Sequence, residues 1–262
     1  MTEYPAMQLI VPMAGAGQRF ANAGYALPKP LVSIGGLPMV VRAVRDLPRA
    51  ERRVFVCHPR HVAEHRIDET LSGYFPGCKV VVAPGLTAGQ ACSVRLACEH
   101  LDPDRPVLVA ACDNTHLYDP ARLASLIADH CVDCLVWTYR RDPRVLVRPE
   151  WYGWVRIDGA QRVLEVSVKR PLSTRPLDDH VVSGCFWFRT TRLMLDGIDR
   201  LVAANTRVNG EFYMDSVPNL FLADGREVRV FEVDKHIGWG TPEDLEDYLR
   251  WQRHFGAASQ AA

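Results

Sequence analysis

Residues 9–20 read LIVPMAGAGQRF and residues 27–31 read LPKPL, and these two segments indicate how the chain is built. The first begins as an aliphatic run typical of a buried strand and ends in a glycine-rich loop. Glycine can adopt backbone angles closed to other residues, so an anion can approach the main chain closely. Successive N–H groups in such a turn form a concave anion site. We therefore expect nucleotide phosphates to bind at Ala14, Gly15, Ala16 and Gly17.

Two cationic side chains follow the loop. Arg19 carries a forked, permanent charge that suits phosphate oxygens. Lys29 is a compact point charge, and the prolines at positions 28 and 30 restrict the backbone on both sides of it. The alternative is an ordinary strand-to-helix turn with a surface arginine. The Pro-Lys-Pro segment disfavours it, and we predict that both cations act on a triphosphate.

Two commoner phosphate loops do not fit. The dinucleotide fingerprint needs a third glycine three positions after Gly17, where this chain has Phe20. The P-loop needs Gly-Lys-Ser/Thr after its first glycine, whereas AGQR follows Gly15.

The composition is that of an ordinary globular protein. The chain has 262 residues, of which 48% are hydrophobic and 24% are charged, and its net charge is zero. A neutral balance does not indicate a broad nucleic-acid surface. No apolar run approaches membrane-spanning length, and the start, MTEYP, lacks the pattern of a signal peptide. We expect a cytoplasmic protein with no nucleic-acid or membrane partner.

Eight cysteines are scattered along the chain. Without a secretory signal, we expect them to be reduced and mostly buried. Cys131 and Cys134 have the spacing of a metal or redox pair, but no second pair lies at zinc-finger spacing. We interpret both as structural, with a zinc or redox role as the minor alternative.

The first half alternates strands and helices. Strands are predicted at residues 7–12, 53–57, 79–82, 106–111 and 135–139, and helices at 38–47, 60–72, 89–100 and from 120. This alternation predicts an α/β fold, with a mostly parallel sheet between two layers of helices. Ligands of such sheets collect at the carboxyl ends of the strands.

The second half changes character. We predict a hairpin, a strand, two helices, a last strand and a capped C-terminal helix, at 152–168, 181–188, 190–203, 211–223, 226–233 and 241–254. We expect one domain made of two halves, of about 1–140 and about 141–262, with the phosphate loop in the first half. No hexapeptide repeat follows residue 241.

Asp113 follows the strand predicted at 106–111, at the same sheet edge as the glycine-rich loop. A carboxylate there suits Mg²⁺ held jointly by protein and substrate phosphates, so Asp113 is the first metal candidate. The alternative is that Asp113 only caps a turn with the residues that follow it.

Gly89 and Gln90 open the helix after the third strand. A glutamine amide offers both a donor and an acceptor, which can pair with a pyrimidine edge. We expect both residues at the base, although a solvated glutamine at a helix start is the alternative.

The whole ordered signature resembles one enzyme family. PMAGxGxRF, then PKPL at 28–31, then GxPM at 36–39, is similar to the nucleotidyltransferases that activate sugar 1-phosphates, also called nucleotide-sugar pyrophosphorylases and including capsule-type cytidylyltransferases. The resemblance implies a Rossmann-like sheet shared with GT-A nucleotide-diphospho-sugar transferases. It also implies that Asp113 binds the catalytic Mg²⁺ and that Gly89 and Gln90 contact the base.

The resemblance extends to the acceptor side. Lys169 matches the family lysine that meets the acceptor phosphate, although valine precedes it here where glutamate is usual. The remaining acceptor residues implied by the resemblance are Ser183, Gly184, Glu211 and Tyr213.

One departure lies before the C-terminal helix. Many relatives carry an aspartate, the second metal ligand, where this chain has Gly238. Either one carboxylate suffices, or a substitute comes from Asp215, Asp234 or His236.

The resemblance implies transfer of NMP from an NTP, with a pyrimidine base, to a phosphorylated acceptor such as a sugar 1-phosphate, with release of pyrophosphate. The nearest alternative is a cytidylyltransferase acting on a non-sugar phosphate or phosphonate. A GT-A glycosyltransferase would want an Asp-x-Asp motif, which is absent around Asp113. A further alternative function is that of a non-catalytic nucleotide sensor. The sequence also leaves open whether the chain forms a homo-oligomer.

Overall fold

The structure, a computed structural model, describes residues 6–260, with side chains to residue 255. The segment 1–5, from which we predicted the lack of a signal peptide, lies outside the described residues. None of the helices within residues 6–260 has the length and apolar character needed to cross a membrane.

Within the described residues there are thirteen strands and nine α-helices. The strands are β1 (Gln8–Met13), β2 (Ser33–Ile34), β3 (Leu37–Pro38), β4 (Arg52–Cys57), β5 (Lys79–Val82), β6 (Val107–Val109), β7 (Asn114–Leu117), β8 (Val132–Tyr139), β9 (Gly153–Ile157), β10 (Val163–Val168), β11 (His180–Phe188), β12 (Glu227–Glu232) and β13 (Lys235–Gly238). The helices are α1 (Gln18–Asn22), α2 (Met39–Arg45), α3 (Pro59–His65), α4 (Ile67–Tyr74), α5 (Gln90–Ala97), α6 (Pro120–Ala128), α7 (Thr191–Ala203), α8 (Val217–Ala223) and α9 (Pro242–Gln260).

Nine strands form one mixed sheet in the order β10-β9-β11-β6-β1-β4-β5, with β8 pairing with both β11 and β12. Strand β1 pairs in parallel with β4 and β6. Strand β11 runs antiparallel to β6, β8 and β9. A strand from the second half of the chain therefore lies beside β6, and both halves of the sequence share one sheet.

Helices cover both faces of this sheet, which confirms the predicted three-layer α/β fold. Ile10 of β1 packs in a core cluster with α5, α7 and α8, whereas Leu9 and Val11 pack with α2, α4 and α6. Successive strand residues point to opposite faces, so one apolar run serves both layers. Burial of each such aliphatic side chain contributes about 1.5–3 kcal/mol.

Several predicted elements have different bounds, among them the strand predicted at 135–139, which begins at Val132, and the C-terminal helix, which extends to Gln260. The helix predicted at 60–72 is two helices, because Arg66 between α3 and α4 takes a left-handed φ of 50°. The helix predicted at 211–223 begins at Val217, after a 3-10 turn at Met214–Ser216. The strand predicted at 106–111 ends at Val109, so the next four residues form the loop that carries Asp113.

A small ladder lies outside the main sheet and was not predicted. Strand β7 pairs antiparallel with β13, with Asn114 opposite Gly238 and His116 opposite His236. This ladder places the segment that precedes α9 against the segment that follows Asp113.

Candidate nucleotide and acceptor site

The glycine-rich loop joins β1 to α1. Gly17 takes a left-handed φ of 61°, and a Cβ atom there would lie 3.4 Å from Lys29 Cβ. Ala14 is buried, whereas Gly15 and Ala16 are exposed. The loop therefore presents its backbone to solvent next to the stem of Lys29, as an anion cradle requires.

Lys29 and Asp113 form an ion pair beside this loop. Lys29 Nζ donates to the Asp113 carboxylate and, at 3.3 Å, to Gly240 O. Burial opposes the lysine charge most strongly, but Asp113 outweighs burial and raises the pKa of Lys29 above its ordinary value. Lys29 is therefore a cation at neutral pH. The Asp113 side chain is 24% exposed, so a ligand can still reach it.

The segment before α9 closes over the pair. Trp239 N donates to Asp113 O at 2.7 Å. A Cβ atom at Gly240 would lie 3.6 Å from Asp113 Oδ2 and 4.0 Å from Asp244 Oδ2. Two carboxylates thus approach one glycine, and the missing side chain leaves space between them.

Gly89 has a packing role of its own. Its φ is 130°, and a Cβ atom there would lie 2.5 Å from both N and O of Phe212. Phe212 N donates to Ala88 O at 2.9 Å, and Ala91 N donates to Phe212 O at 3.0 Å. This close approach fixes the start of α5, so that Gln90 lines the cleft beside Asp113.

A bulge in β11 places the predicted acceptor residues Ser183 and Gly184. The pairing of β11 with β8 shifts register between Val182 and Phe186, and Gly184 takes a left-handed φ of 87°. Asn114 Nδ2 donates to Ser183 O at 2.8 Å. Within the described part of the chain, Asn114 Oδ1 and Ser183 Oγ are buried without a hydrogen-bond partner. Such buried polar atoms are rare in folded proteins and are consistent with a ligand site.

Lys169 lines the same cleft as Asp113. Its φ is 61°, and its Nζ donates to Trp151 O and lies 5.3 Å from the centroid of the Tyr213 ring. Burial lowers the pKa of Lys169, and Asp215 partly offsets that effect. Burial also raises the pKa of Asp215, again partly offset by Lys169. A bound phosphate would favour the charged form of the lysine and so raise its pKa.

One cleft of about 310 Å³ brings most of these residues together. Its lining includes Arg19, Gln90, Asp113, Lys169, Ser183, Gly184, Tyr213 and Asp215. An adjoining pocket of about 240 Å³ is lined by Gly15, Gly17, Lys29, Gln90 and Asp113. Glu211 is exposed and lies outside the lining of both, although burial and then the charge of Glu211 raise the pKa of Tyr213.

Several residues that line the cleft were not predicted from the sequence. Its additional lining residues include Tyr139, Arg144, Trp151, Tyr152 and Asp244. Arg144 Nη2 lies 2.6 Å from Asp142 Oδ2, and Arg144 Nη1 lies 3.6 Å from Asp244 Oδ1. Of these residues, only Asp244 had a signal in the sequence, because it belongs to the predicted cap of α9. In that cap, Thr241 Oγ1 donates to Asp244 Oδ2 at 3.0 Å.

His236 fills the space next to Gly238. A Cβ atom at Gly238 would lie 3.0 Å from His236 Nε2. The His236 ring stacks on Tyr139, with 4.2 Å between centroids and 5° between planes. Burial, with a smaller contribution from the Arg144 charge, lowers the pKa of His236 to about 3. His236 is therefore neutral at physiological pH.

Asp113 and Asp244 both line the cleft and could hold a cation. Asp215 also lines the cleft, beside Lys169, whereas Asp234 does not and lies 3.3 Å from Arg122. Among residues 6–260, no group of three or more His, Cys, Asp and Glu side chains is placed to hold a metal. A hard divalent cation at Asp113 would therefore need substrate phosphate oxygens among its ligands.

Among the described cysteines, Cys112 lines the smaller pocket, and the others lie outside the lining of both pockets. Cys134 is buried in the core, Cys131 is exposed, and both are free. Burial raises the pKa of Cys112, next to Asp113, to about 12, so that thiol is neutral.

Comparison with known sequences identifies relatives. A family profile described as the MobA-like NTP transferase domain matches residues 9–184. The bifunctional protein GlmU of Staphylococcus epidermidis is 26% identical over 238 residues, which cover 87% of this chain and 49% of GlmU. The chain therefore spans about half the length of the curated relatives it matches.

Solved structures share the fold. The nucleoside-diphosphate-sugar pyrophosphorylase of Vibrio cholerae is 18% identical with a TM-score of 0.75, covering 92% of this chain and 99% of that one. The inositol-1-phosphate CTP transferase of T. maritima is 17% identical with a TM-score of 0.70, covering 93% of both chains. A putative glucose-1-phosphate thymidylyltransferase of Bacillus anthracis is 18% identical with a TM-score of 0.70, covering 92% and 93%.

Proposed function

The chain belongs to the MobA-like NTP transferase domain family, and on that premise we propose that it is a nucleotidyltransferase. It moves NMP from an NTP, with a pyrimidine base, onto a phosphorylated acceptor such as a sugar 1-phosphate, and it releases pyrophosphate. The observation that carries this proposal is the single cleft lined by Arg19, Asp113 and Lys169. Arg19 and Lys169 supply positive charge for the two polyanions that must meet, and Asp113 supplies a carboxylate for the proposed metal ion.

The chemistry needs no general base. An oxygen of the acceptor phosphate, already an anion, forms a bond to the α-phosphorus of the NTP, and the bond from that phosphorus to the bridging oxygen breaks. The electron pair leaves with pyrophosphate. The barrier has two main parts, which are the repulsion between the two polyanions and the need to align them. Lys29, Arg19 and the loop amides stabilise the leaving phosphates, while Lys169 holds the attacking phosphate.

The residues present fit a magnesium ion. Asp113 is partly exposed, Asp244 approaches the same glycine, and both offer the oxygen ligands that Mg²⁺ prefers. We propose that Asp113 holds the cation, with Asp244 or Asp215 as the second carboxylate. Bound Mg²⁺ would neutralise charge on the triphosphate.

A second candidate is a cytidylyltransferase that acts on a non-sugar phosphate or phosphonate. It is favoured by Gly238, which stands where many relatives carry an aspartate and whose side-chain space His236 fills. One structural neighbour is named an inositol-1-phosphate CTP transferase, so this fold accommodates an acceptor of that kind in another protein.

Pyrophosphate release tests the proposal. Each common NTP is incubated with Mg²⁺ and a panel of sugar 1-phosphates, polyol phosphates and phosphonates, with either substrate omitted as the control. We expect release only when both substrates are present, and only with a pyrimidine NTP. NTP binding without release from any pair would contradict the transferase proposal and favour a nucleotide sensor. Transfer of a sugar from a nucleotide sugar would instead favour a glycosyltransferase.

A further inference from the structure

Trp151 contacts a functional cation from each half of the chain. The Arg19 guanidinium carbon lies 4.1 Å from the centroid of the Trp151 ring. Lys169 Nζ donates to the Trp151 carbonyl oxygen. The main chain of the same segment forms a second hydrogen bond with this lysine, since Lys169 N donates to Tyr152 O at 3.0 Å. One residue thus lies between the phosphate loop and the acceptor side.

The Trp151 turn is anchored to the core. Residues Pro149–Trp151 form a 3-10 turn, and Trp154 Nε1 donates to Pro149 O at 3.0 Å. Trp154 itself is fully buried. Trp151 is 37% exposed and lines the cleft, so the core fixes its backbone while its ring stays next to the ligand space.

The Trp151 ring lies where it can orient the Arg19 guanidinium. Within residues 6–260 no carboxylate lies within 4.0 Å of the Arg19 guanidinium. A cation–π contact of a partly exposed arginine contributes about 0.5–1 kcal/mol. Stacking uses the face of the guanidinium and leaves its N–H groups, which lie in the plane, free to bind phosphate oxygens.

Pre-orientation lowers the cost of binding. Fixing a free arginine side chain costs up to about 2 kcal/mol of rotamer entropy. A ring that already holds the guanidinium removes part of that cost before the anion arrives. Arg148, whose guanidinium carbon lies 5.1 Å from the same ring centroid, adds positive charge at this position.

We propose that Trp151 is a positioning residue, whose indole ring holds Arg19 in the orientation that binds the triphosphate and the leaving pyrophosphate. Trp151 thereby connects the phosphate loop to the segment that holds Lys169. This role rests on the proposed nucleotidyl transfer, because that reaction assigns phosphate to Arg19.

A double-mutant cycle tests this role through direct binding of pyrophosphate, measured by calorimetry on the full chain. The variants are Trp151→Leu, Arg19→Ala and the double variant. We expect Trp151→Leu to weaken pyrophosphate binding about 2- to 10-fold in the wild-type background and to have no effect once Arg19 is alanine. Trp151→Phe, which keeps an aromatic face, should restore binding to within about twofold of wild type.

Trp251→Leu is the matched control, because Trp251 is an exposed tryptophan on α9 outside the cleft lining. It should bind pyrophosphate like wild type. An equal loss on Trp151→Leu in both backgrounds, or no pyrophosphate binding by the wild type, would overturn the positioning role. Coupled binding without turnover of any NTP would leave this role standing and contradict only the proposed reaction.

Discussion

Single residues determine the charge balance of the cleft, and Asp113 has the largest expected effect. Asp113→Ala removes the proposed metal ligand and leaves Lys29 without its counter-charge. We expect pyrophosphate release to fall by at least about 100-fold, the usual scale for losing one electrostatic group from an active site. Initial rates across a range of Mg²⁺ concentrations measure this effect. The melting temperature of the same sample serves as the folding control, and near-normal Mg²⁺-dependent turnover would contradict the assignment.

Gly238 gives a second prediction at the residue scale. Gly238→Asp places a carboxylate at this position, but its side chain would meet His236 Nε2. Because His236 is stacked on Tyr139, it cannot easily give way, and we expect a lower melting temperature with no gain in activity. Adding His236→Ala should recover stability.

The control is Gly159→Asp, because a Cβ atom at Gly159 meets no described atom within 4 Å. It should melt like wild type. A more active Gly238→Asp variant with unchanged melting would show that the space beside His236 is open.

At the scale of elements, the glycine before α5 determines how two segments meet. Gly89→Ala would bring a Cβ atom to 2.5 Å from the backbone of Phe212, and it would also strain a φ of 130°. We expect a loss of about 1–3 kcal/mol or more in the free energy of unfolding. Urea denaturation measures it, with Gly73→Ala in α4 as the control, since nothing lies near that glycine. Equal stability of the Gly89 variant and wild type would contradict this packing role.

Periodicity was sufficient to predict the main sheet and its helices. The β1 run predicts a buried strand, and β1 is buried in the centre of the sheet, between β4 and β6. The β7–β13 ladder could not be predicted, because both strands are short and their pairing depends on residues more than a hundred positions apart. Tyr139, Arg144 and Trp151 were missed for a related reason, since only the fold brings that segment to the cleft.

For the molecule as a whole, buried histidines predict how stability changes with pH. Burial lowers the pKa of His236 to about 3 and that of His61 to about 4. The unfolded chain has ordinary histidines, so below about pH 6.5 it binds protons that the folded protein does not. These two histidines therefore do not reduce the free energy of unfolding above about pH 6.5. Their effect lowers it as the pH drops from there toward 4.

His236→Phe keeps a ring that can stack on Tyr139 and removes one titrating group. The variant should lose less stability than wild type between pH 7 and pH 5, by up to about 1.4 kcal/mol per pH unit. Urea denaturation at the two pH values gives the comparison. A variant as sensitive to acid as wild type would contradict the assignment.

The contacts of Trp239 and Gly240 with Asp113 and Lys29 have a consequence for biosynthesis. A ribosome adds about 5–20 residues per second and releases the N-terminal part first, so the phosphate loop emerges well before residue 240. A nascent chain that stalls before residue 240 contains the early strands, but it lacks the segment that contacts the Lys29–Asp113 ion pair. We therefore expect the proposed nucleotide site to be complete only after residues 239 and 240 have emerged from the ribosome.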